Sequence, residues 1–292
     1  MKLFFWIPVA VVNIEISVMC ILFIYRNPDA NAGSYRLIIA SNRDEMYKRP
    51  ALSAHYWGQH PECLGGIDME AGKEGGTWLA LSTRGKAAVI LNYVGKEAVM
   101  DASKKNRGFL IRDFITSSDS IELYLDKLHK ENVNRQPYNP YCLVLLDLNN
   151  ANVHYLNNCV ESIGPIICNS DIIGIGNGGI DHSYKKVEAG KEEFKLIIKN
   201  AHTSNENNLI EELINFLKSK ERHLPDPELQ ERYPTKYKVL SSIFVSVEKQ
   251  YGTRTHSILL IDGSNNITFI EETLMSDFTW KRQQFKNNLM RQ

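Results

Sequence analysis

The stretch Tyr35-Arg36-Leu37-Ile38-Ile39-Ala40-Ser41-Asn42-Arg43-Asp44-Glu45 decides the fold. Its first half is an apolar run, which predicts a buried β-strand. Its second half places four polar or charged side chains directly after that strand, where they are costly to bury unless they pair with one another or meet a ligand. We therefore expect the end of this strand to carry a functional site, with Asn42, Arg43, Asp44 and Glu45 as its first candidates.

A cysteine stands at the head of the preceding apolar run. Met19-Cys20 leads into residues 21–25, which predict another buried strand. If translation starts at Met19, removal of that methionine leaves Cys20 as the first residue, with its thiol beside the Arg43 and Asp44 cluster. The alternative is that Cys20 is a small buried apolar residue, as most free cysteines are. The sequence leaves both interpretations open.

Composition excludes several classes of function. The chain has 292 residues, with 34 Lys and Arg against 34 Asp and Glu, so no net field draws it to nucleic acid or to acidic membranes. Its five cysteines are odd in number and widely spaced, which argues against a disulfide framework or a zinc site. We expect reduced thiols, no metal, no nucleic-acid partner, and a location in the cytoplasm or in an organelle reached from it.

The first eighteen residues allow three interpretations. Lys2 followed by the apolar residues 3–12 is typical of a secretory signal. A membrane anchor over residues 3–25 has the required length, although a proline and two polar residues interrupt it. The third interpretation is that these residues result from an upstream start codon or belong to an extended isoform. We therefore divide the chain into an N-terminal extension, residues 1–18, and a single domain, residues 19–292, and expect membrane contact only if the extension is retained.

Hydrophobic periodicity predicts strands at both ends of the domain and helices between them. The predicted strands are residues 20–26, 35–41, 77–82, 86–93, 141–147, 152–157, 171–175, 256–262 and 266–271. The predicted helices are residues 107–117, 119–131, 183–199 and 207–220, the second of them capped by Ser118 or Asp119. The charged run from Lys185 to Lys199 is expected to be a solvated helix face. This order argues against alternating βαβ units and favours one α+β domain.

Four further polar clusters fall at the ends of predicted strands. They are residues 75–80 with Gly75, Gly76, Thr77 and Trp78, residues 91–93 with Asn92 and Tyr93, residues 174–179 with Asn177, and residues 251–255 with Arg254. Amide and guanidinium donors stabilise a developing oxyanion or hold a carboxylate in place. The alternatives are that the asparagines cap turns and that the charged residues of the tetrad form a structural ion-paired turn.

Six motifs occur in a fixed order along the chain: Asn42 to Glu45, Gly75 to Trp78, Ser82 to Lys86, Leu91 to Tyr93, Leu224 to Pro227 and Tyr251 to Thr255. This ordered set resembles the transport and Golgi organization protein 2 family, whose NRDE domain is named after the tetrad at Asn42 to Glu45. The resemblance runs from Met19 to about Trp280. That family is in turn similar to the N-terminal-nucleophile hydrolases that cleave penicillin V and conjugated bile acids. The resemblance implies a single-domain, four-layer αββα sandwich.

The resemblance also implies roles for individual residues. Six residues match catalytic positions of the hydrolases: Cys20 the N-terminal nucleophile, Arg43 and Asp44 an Arg and an Asp, Asn92 the oxyanion-hole Asn, and Asn177 and Arg254 a further Asn and Arg. The other motif residues are expected to contact a ligand: Asn42, Glu45, Gly75, Gly76, Thr77, Trp78 and Tyr93. The hydrolases separate their Arg and Asp in sequence, whereas Arg43 and Asp44 adjoin, so the choice between Asp44 and Glu45 stays open.

Two classes of function follow from the resemblance. The first, which we favour, is a trafficking and homeostasis protein that acts in Golgi organisation and protein secretion. It would bind a small hydrophobic or acylated ligand, such as haem or acyl-CoA, in the cytoplasm or in association with the Golgi, the ER or mitochondria, and the apolar start leaves secretory entry open. The second is a cysteine amidohydrolase or thioesterase. There the α-amine of Cys20 would take the thiol proton, Arg43 would favour the thiolate and Asp44 would orient the amine.

Overall fold

Two antiparallel β-sheets form the middle of the structure, a computed structural model that describes residues 19–93, 101–159, 164–180, 183–247 and 250–290. The predicted extension, residues 1–18, lies outside the described residues. The first sheet contains β1 (Ile21–Arg26), β2 (Tyr35–Met46), β10 (Ile172–Ile175), β11 (Ser246–Val247), β12 (Tyr251–Asp262), β13 (Asn266–Leu274) and β14 (Trp280–Asn288). Its strand order is β10-β1-β2-β12-β13-β14, with β11 paired to β12. The second sheet contains β3 (Ala51–Trp57), β4 (His60–Asp68), β5 (Leu79–Ser82), β6 (Lys86–Asn92), β7 (Tyr141–Asp147), β8 (Asn152–Asn157) and β9 (Ile166–Cys168), in sequence order.

Helices cover the outer face of each sheet. They are α1 (Gly108–Thr116), α2 (Ile121–Arg135), α3 (Lys185–Ile198), α4 (Glu206–Leu217), α5 (Pro227–Arg232) and α6 (Tyr237–Leu240). One apolar core lies between the two sheets, a second between the first sheet and α3 to α6, and a third between the second sheet and α1 and α2. Three cores require four layers, so the predicted α+β, four-layer αββα sandwich is confirmed.

The tetrad does not end its strand. β2 continues through Asn42 to Glu45 because β12 pairs with it along the whole length, from Asp262 opposite Tyr35 to Tyr251 opposite Met46. The cluster at residues 251–255 likewise lies inside β12, not before it. The polar side chains are tolerated inside a buried strand because each has a partner across the sheet or above it. The strand end at Ala40 and Ser41, predicted from polarity alone, was therefore wrong.

Five strands were missed, namely β3, β4, β9, β11 and β14, and the sequences of β4 and β14 show why. β14 is an edge strand, and only Trp280 and Phe285 along it are large and apolar. β4 contains Gly65 and Gly66, which are typical of turns. An ideal Cβ on Gly66 would lie 2.5 Å from the Trp78 ring, so this glycine serves close packing inside the sheet.

The four predicted helices are confirmed within a few residues at their ends. The cap of α2 is Ser120, whose Oγ accepts a hydrogen bond from the Leu123 amide at 3.2 Å, so Ser118 and Asp119 were the wrong choice. In the described part of the chain no helix is both long and apolar enough to cross a membrane.

Candidate functional site

Cys20 lies immediately before β1, at one end of the first sheet. Ile21 pairs with Asn42 on β2, and Leu22 pairs with Ile175 on β10. Continuing both registers places Cys20 between Arg43 on one side and Asn177 on the other. The thiol is 7% exposed and donates to the carbonyl oxygen of Asp44 at 3.9 Å. The structure therefore brings together three catalytic candidates that are distant in sequence.

Strand alternation divides the tetrad between two faces of the sheet. Cys20 belongs to the core between the sheets, whereas its neighbour Met19 belongs to the core below the helices. Arg43 points between the sheets, where its guanidinium lies 4.1 Å from the ring centre of Trp78. Asn42 and Asp44 point toward the helices. The four polar side chains do not form one cluster, although the sequence predicted one.

Arg43 is embedded in a chain of ion pairs. Its Nη2 lies 3.7 Å from Oε2 of Glu45, and the same oxygen lies 3.3 Å from Nη1 of Arg49. Arg49 in turn binds Asp68 with two nitrogens, at 2.6 and 3.1 Å. Glu45 thus neutralises two arginines, which supports a structural role for a residue predicted to contact a ligand.

Arg254 occupies a β-bulge in β12. The register shifts between Thr253, opposite Asp44, and Thr255, opposite Arg43, which leaves Arg254 as the extra residue. Bulges re-aim side chains next to functional sites. Its Nη1 donates to the carbonyl oxygens of Arg49 and of Met46, the latter at 3.2 Å. Burial, followed by the positive charge of Arg43, lowers the pKa of Arg254 to about 10.

Asp44 is fully buried beneath the helix layer. Its Oδ1 accepts a hydrogen bond from Thr253 Oγ1 at 2.6 Å, and its Oδ2 has no hydrogen-bond partner among the described residues. Burial raises the pKa of Asp44 from 3.8 to about 7, and the charge of Lys186 is the largest effect that opposes this shift. The negative charge of Asp44 raises the pKa of the Cys20 thiol more strongly than that of Glu45 does, while the choice between the two as a catalytic carboxylate stays a prediction.

The environment of Cys20 does not favour a thiolate. Burial, and then the negative charge of Asp44, raise the pKa of the Cys20 thiol to about 12, and Arg43 opposes them only weakly. Arg43 was expected to lower the pKa of the Cys20 thiol, but with Met19 attached this effect is smaller than the opposing effects of burial and of Asp44. Met19 is also fully buried, and its backbone N–H donates to the hydroxyl of Tyr251 at 2.5 Å.

Two asparagines connect the sheets at the end where Cys20 lies. Nδ2 of Asn177 donates to the carbonyl oxygen of Asn92, which ends β6 in the second sheet, at 2.6 Å. Tyr93 follows and packs against the core between the sheets, and burial raises the pKa of its phenol to about 12. The register places Asn177 beside Cys20, and the bond of Asn177 to Asn92 joins the two sheets there, while an oxyanion role for the asparagines stays a prediction.

Gly76 and Thr77 contact Gly108 at the start of α1. Gly76 forms a bridge with Asp68, and an ideal Cβ on it would lie 3.3 Å from Cα of Gly108 at the start of α1. Thr77 donates its hydroxyl to the carbonyl oxygen of Gly66 at 2.6 Å and its amide to that of Gly108 at 3.2 Å. Gly75 (φ 85°) makes the turn before them. These contacts support structural roles, and only Trp78 of this motif reaches Arg43.

Asn42 is also engaged within the protein. Its Nδ2 donates to the carbonyl oxygens of Leu217 at 2.8 Å and Ile243 at 3.0 Å, and its Oδ1 lies 2.6 Å from Nδ1 of His256. The side chain is fully buried. This geometry supports a structural role, whereas the sequence predicted a ligand contact.

Sequence reasoning missed four residues around the site. Thr253 and Tyr251 lie in a motif from which only Arg254 was selected, and strand alternation could have indicated them. Glu271 is 1% exposed, accepts from the Ala54 amide at 2.6 Å and faces Arg43 from β13, which no sequence pattern indicated. Lys186 is 1% exposed, although its charged run was predicted to be solvated.

Two surface depressions among the described residues lie outside this site. One, of about 450 Å³, is lined by residues 203–208 and Lys286, and the other, of about 190 Å³, by seven residues between His129 and Cys159. Neither includes a candidate catalytic residue. Within the described residues no group of three or more His, Cys, Asp or Glu side chains is placed to hold a metal ion.

Fold and site together define an antiparallel αββα sandwich with a thiol at the head of an inner strand, flanked by an Arg and an Asn. Residues 19–276 match the family model described as Transport and Golgi organisation 2, and the chain belongs to this family.

Curated relatives cover nearly all of the domain. The chain is 35% identical to the human Transport and Golgi organization protein 2 homolog over 88% of this chain and 94% of that protein. It is 35% identical to the Drosophila melanogaster Transport and Golgi organization protein 2, over 88% and 92%, and 33% identical to the mouse homolog, over 93% and 99%. Among solved structures, a mutant conjugated bile acid hydrolase from Clostridium perfringens aligns over 92% of each chain, with a TM-score of 0.47 and 9% identity.

Proposed function

We propose that this chain is a trafficking and homeostasis protein that binds a small ligand with an anionic group and an apolar body. The cellular role would be in Golgi organisation and protein secretion, in the cytoplasm or in association with the Golgi, the ER or mitochondria. Acyl-CoA and haem both have the required chemistry. The relatives' names support the cellular role, and the guanidinium groups of the site support the ligand class.

The observation that carries the proposal is the excess of positive charge at Arg254. This guanidinium is half-buried beside Arg43, and no carboxylate of the described residues lies within 4 Å of it. Two neighbouring guanidinium groups repel each other, so an anionic ligand group would relieve that repulsion and accept their hydrogen bonds. Trp78 adds an aromatic face, and its Nε1 has no hydrogen-bond partner among the described residues. The apolar body of the ligand would contact this ring.

We expect Arg254→Gln to weaken binding of palmitoyl-CoA or haemin to the intact chain by about 10- to 100-fold, because a hydrogen bond to a charged group contributes about 1.5–3 kcal/mol. Titration calorimetry measures the affinity. The matched control is Arg84→Gln, because the Arg84 side chain is 68% exposed and pairs with Glu62 on the surface. Equal affinities for wild type and Arg254→Gln, or an equal loss in the control, would contradict the proposal.

A second candidate function, a cysteine amidohydrolase or thioesterase, is favoured by the register that places Arg43 and Asn177 beside Cys20. The reaction needs the α-amine of Cys20 as a base. The thiol proton would pass through that amine to the leaving amine or thiol, the sulfur would hold the acyl group, and water would then release it as a carboxylic acid. With Met19 attached, the nitrogen of Cys20 is an amide and cannot act in this way.

We therefore expect turnover of acyl amides or thioesters only by a chain that starts at Cys20. Such a chain is obtained with a cleavable tag placed directly before Cys20, and its intact mass confirms the new terminus. In that form Cys20→Ala is expected to abolish turnover, measured as release of free amine or thiol. Turnover that survives this substitution, or that is equal in the uncleaved chain, would exclude the terminal thiol as the nucleophile.

A further inference from the structure

Arg232 carries a buried guanidinium group whose hydrogen-bond donors are only partly used. It is the last residue of α5, and 8% of its side chain is exposed. Nη2 donates to Oε1 of Glu228 at 2.6 Å, whereas Nε and Nη1 have no hydrogen-bond partner among the described residues. Burying charged N–H groups without acceptors is costly. The position of Arg232 therefore requires an acceptor that the described residues do not supply.

The bond to Glu228 places this guanidinium group at the junction of α5 with α3. Glu228 lies one turn before Arg232 on the same helix face, so the Arg232 side chain leans back over the first turn of α5. Asp226 caps that turn and also accepts a hydrogen bond from the Lys185 amide, the first residue of α3, at 2.8 Å. The guanidinium group thus lies near the residues that precede α3.

Two hydroxyl groups at the start of α3 are buried and also unpaired. Tyr184, the N-cap residue of α3, is 1% exposed, and its hydroxyl has no hydrogen-bond partner among the described residues. The same holds for the buried Oγ of Ser183. Burial raises the pKa of Tyr184, and the next largest effect is the opposing charge of Arg232, which agrees with a short distance between the two side chains. Unused hydrogen-bonding groups are therefore concentrated at this junction.

Two carboxylates lie near the junction, and neither meets the unpaired donors. Asp226 accepts with both oxygens from backbone amides, those of Leu229 at 2.9 Å and of Lys185. The Glu228 side chain is 29% exposed, so water weakens its pairing with Arg232. A negatively charged ligand oxygen is the acceptor that suits Nε and Nη1 best, because hydrogen bonds between charged groups are roughly twice as strong as those between neutral groups.

The junction adjoins the candidate site on the side away from Arg254. An ideal Cβ on Gly176 would lie 3.7 Å from the ring of Tyr184, and Gly176 directly precedes Asn177, which the register places beside Cys20. In the first sheet β10 lies on one side of β1, whereas β12, which carries Arg254, lies beyond β2 on the other side. The groups around Arg232 and around Arg254 are therefore separate.

We propose that Arg232, together with the hydroxyl groups of Tyr184 and Ser183, forms a second anion-binding site, which takes the carboxylate or phosphate group of a small molecule. The ligand oxygens would accept hydrogen bonds from Nε, from Nη1 and from the two hydroxyls, so that all four unpaired groups gain a partner. The site goes beyond the proposed function, because it does not involve Arg254 and does not depend on the ligand bound there.

The test is titration calorimetry of the intact chain with inorganic phosphate and, separately, with acetate, at constant ionic strength. Saturable binding is expected for at least one probe, and the tighter probe identifies the ligand group as phosphate or carboxylate. Arg232→Gln is expected to weaken this binding by about 10- to 100-fold, because it removes the charge from the hydrogen bonds. Arg112→Gln is the matched control, since the Arg112 side chain is 42% exposed and pairs with Asp113 on the surface.

A comparison with Arg254→Gln separates the two sites, because a probe that still binds this variant reports on Arg232. Binding that is lost in Arg254→Gln and kept in Arg232→Gln would overturn the second site and leave the proposed function standing. Absence of saturable binding by either probe, or equal affinities of wild type and Arg232→Gln, also overturns it.

A second variant applies if Arg232→Gln does not fold. Tyr184→Phe removes only a hydroxyl group that has no partner in the described structure, so it is expected to fold. It is expected to weaken binding of the probe by about 2- to 10-fold, the effect of one neutral hydrogen bond. An affinity of Tyr184→Phe equal to that of wild type would then overturn the proposal.

Discussion

Asn42→Ala is expected to lower the free energy of unfolding by about 3–5 kcal/mol. The side chain satisfies the carbonyl oxygens of Leu217 and Ile243 and holds the ring of His256, all inside the protein. Each buried polar group left without a partner costs about 1–3 kcal/mol. Leu217 is the last residue of α4, where carbonyl groups have no partner within the helix, so Asn42 connects this helix end to the sheet. Urea unfolding followed by circular dichroism measures the change.

The control for Asn42 is Asn207→Ala on α4. Asn207 is exposed, and its replacement is expected to change stability by no more than about 0.5 kcal/mol. If Asn42→Ala were as stable as this control, the three hydrogen bonds would contribute nothing measurable and the structural role of the first tetrad residue would be wrong.

Asp44→Asn is expected to stabilise the protein at neutral and higher pH but not at pH 4. The pKa of Asp44 is raised from 3.8 to about 7 by folding. The folded state therefore binds this proton more tightly between those values, and stability decreases as the pH rises through that window. A shift of this size corresponds to roughly 4 kcal/mol at about 1.4 kcal/mol per unit. Asparagine stays neutral and still accepts the hydrogen bond of Thr253.

The measurement is the stability difference between Asp44→Asn and wild type from pH 4 to pH 8. It is expected to increase toward pH 7 and then to level off. Asp101→Asn is the control, since Asp101 is exposed and its pKa is lowered by Ser103. A stability difference that does not change with pH would show that folding does not raise the pKa of Asp44.

The α+β class was predictable because strands and helices occur in blocks along the chain, whereas the four-layer order was implied by the family resemblance. Apolar runs identified β1 and β7 correctly, since a strand buried on both faces has a continuous apolar sequence. The edge strand β14 could not be predicted in this way, because its exposed positions carry charged and amide side chains. The end of β2 was placed too early because the polar residues 42–45 were taken to mark the end of the buried strand. Their side chains instead have buried partners.

The site was predictable in its parts but not in its arrangement. Motif order indicated Cys20, Arg43, Asp44, Asn177 and Arg254, yet strand alternation sends Arg43 and Asp44 to opposite faces of the sheet. Lys186 gave no signal, because a buried lysine in a charged helix has the same local sequence as a solvated one. Only the packing of α3 on the first sheet distinguishes the two cases.

The burial of Met19 has a consequence for the timing of maturation. A protease or aminopeptidase needs an accessible, locally unfolded peptide around the bond that it cuts. The bond between Met19 and Cys20 lies in the interior, with Met19 fully buried and its N–H bound to Tyr251. We therefore expect any cleavage that exposes Cys20 as the first residue to take place before this part of the chain has folded, or to require its local unfolding.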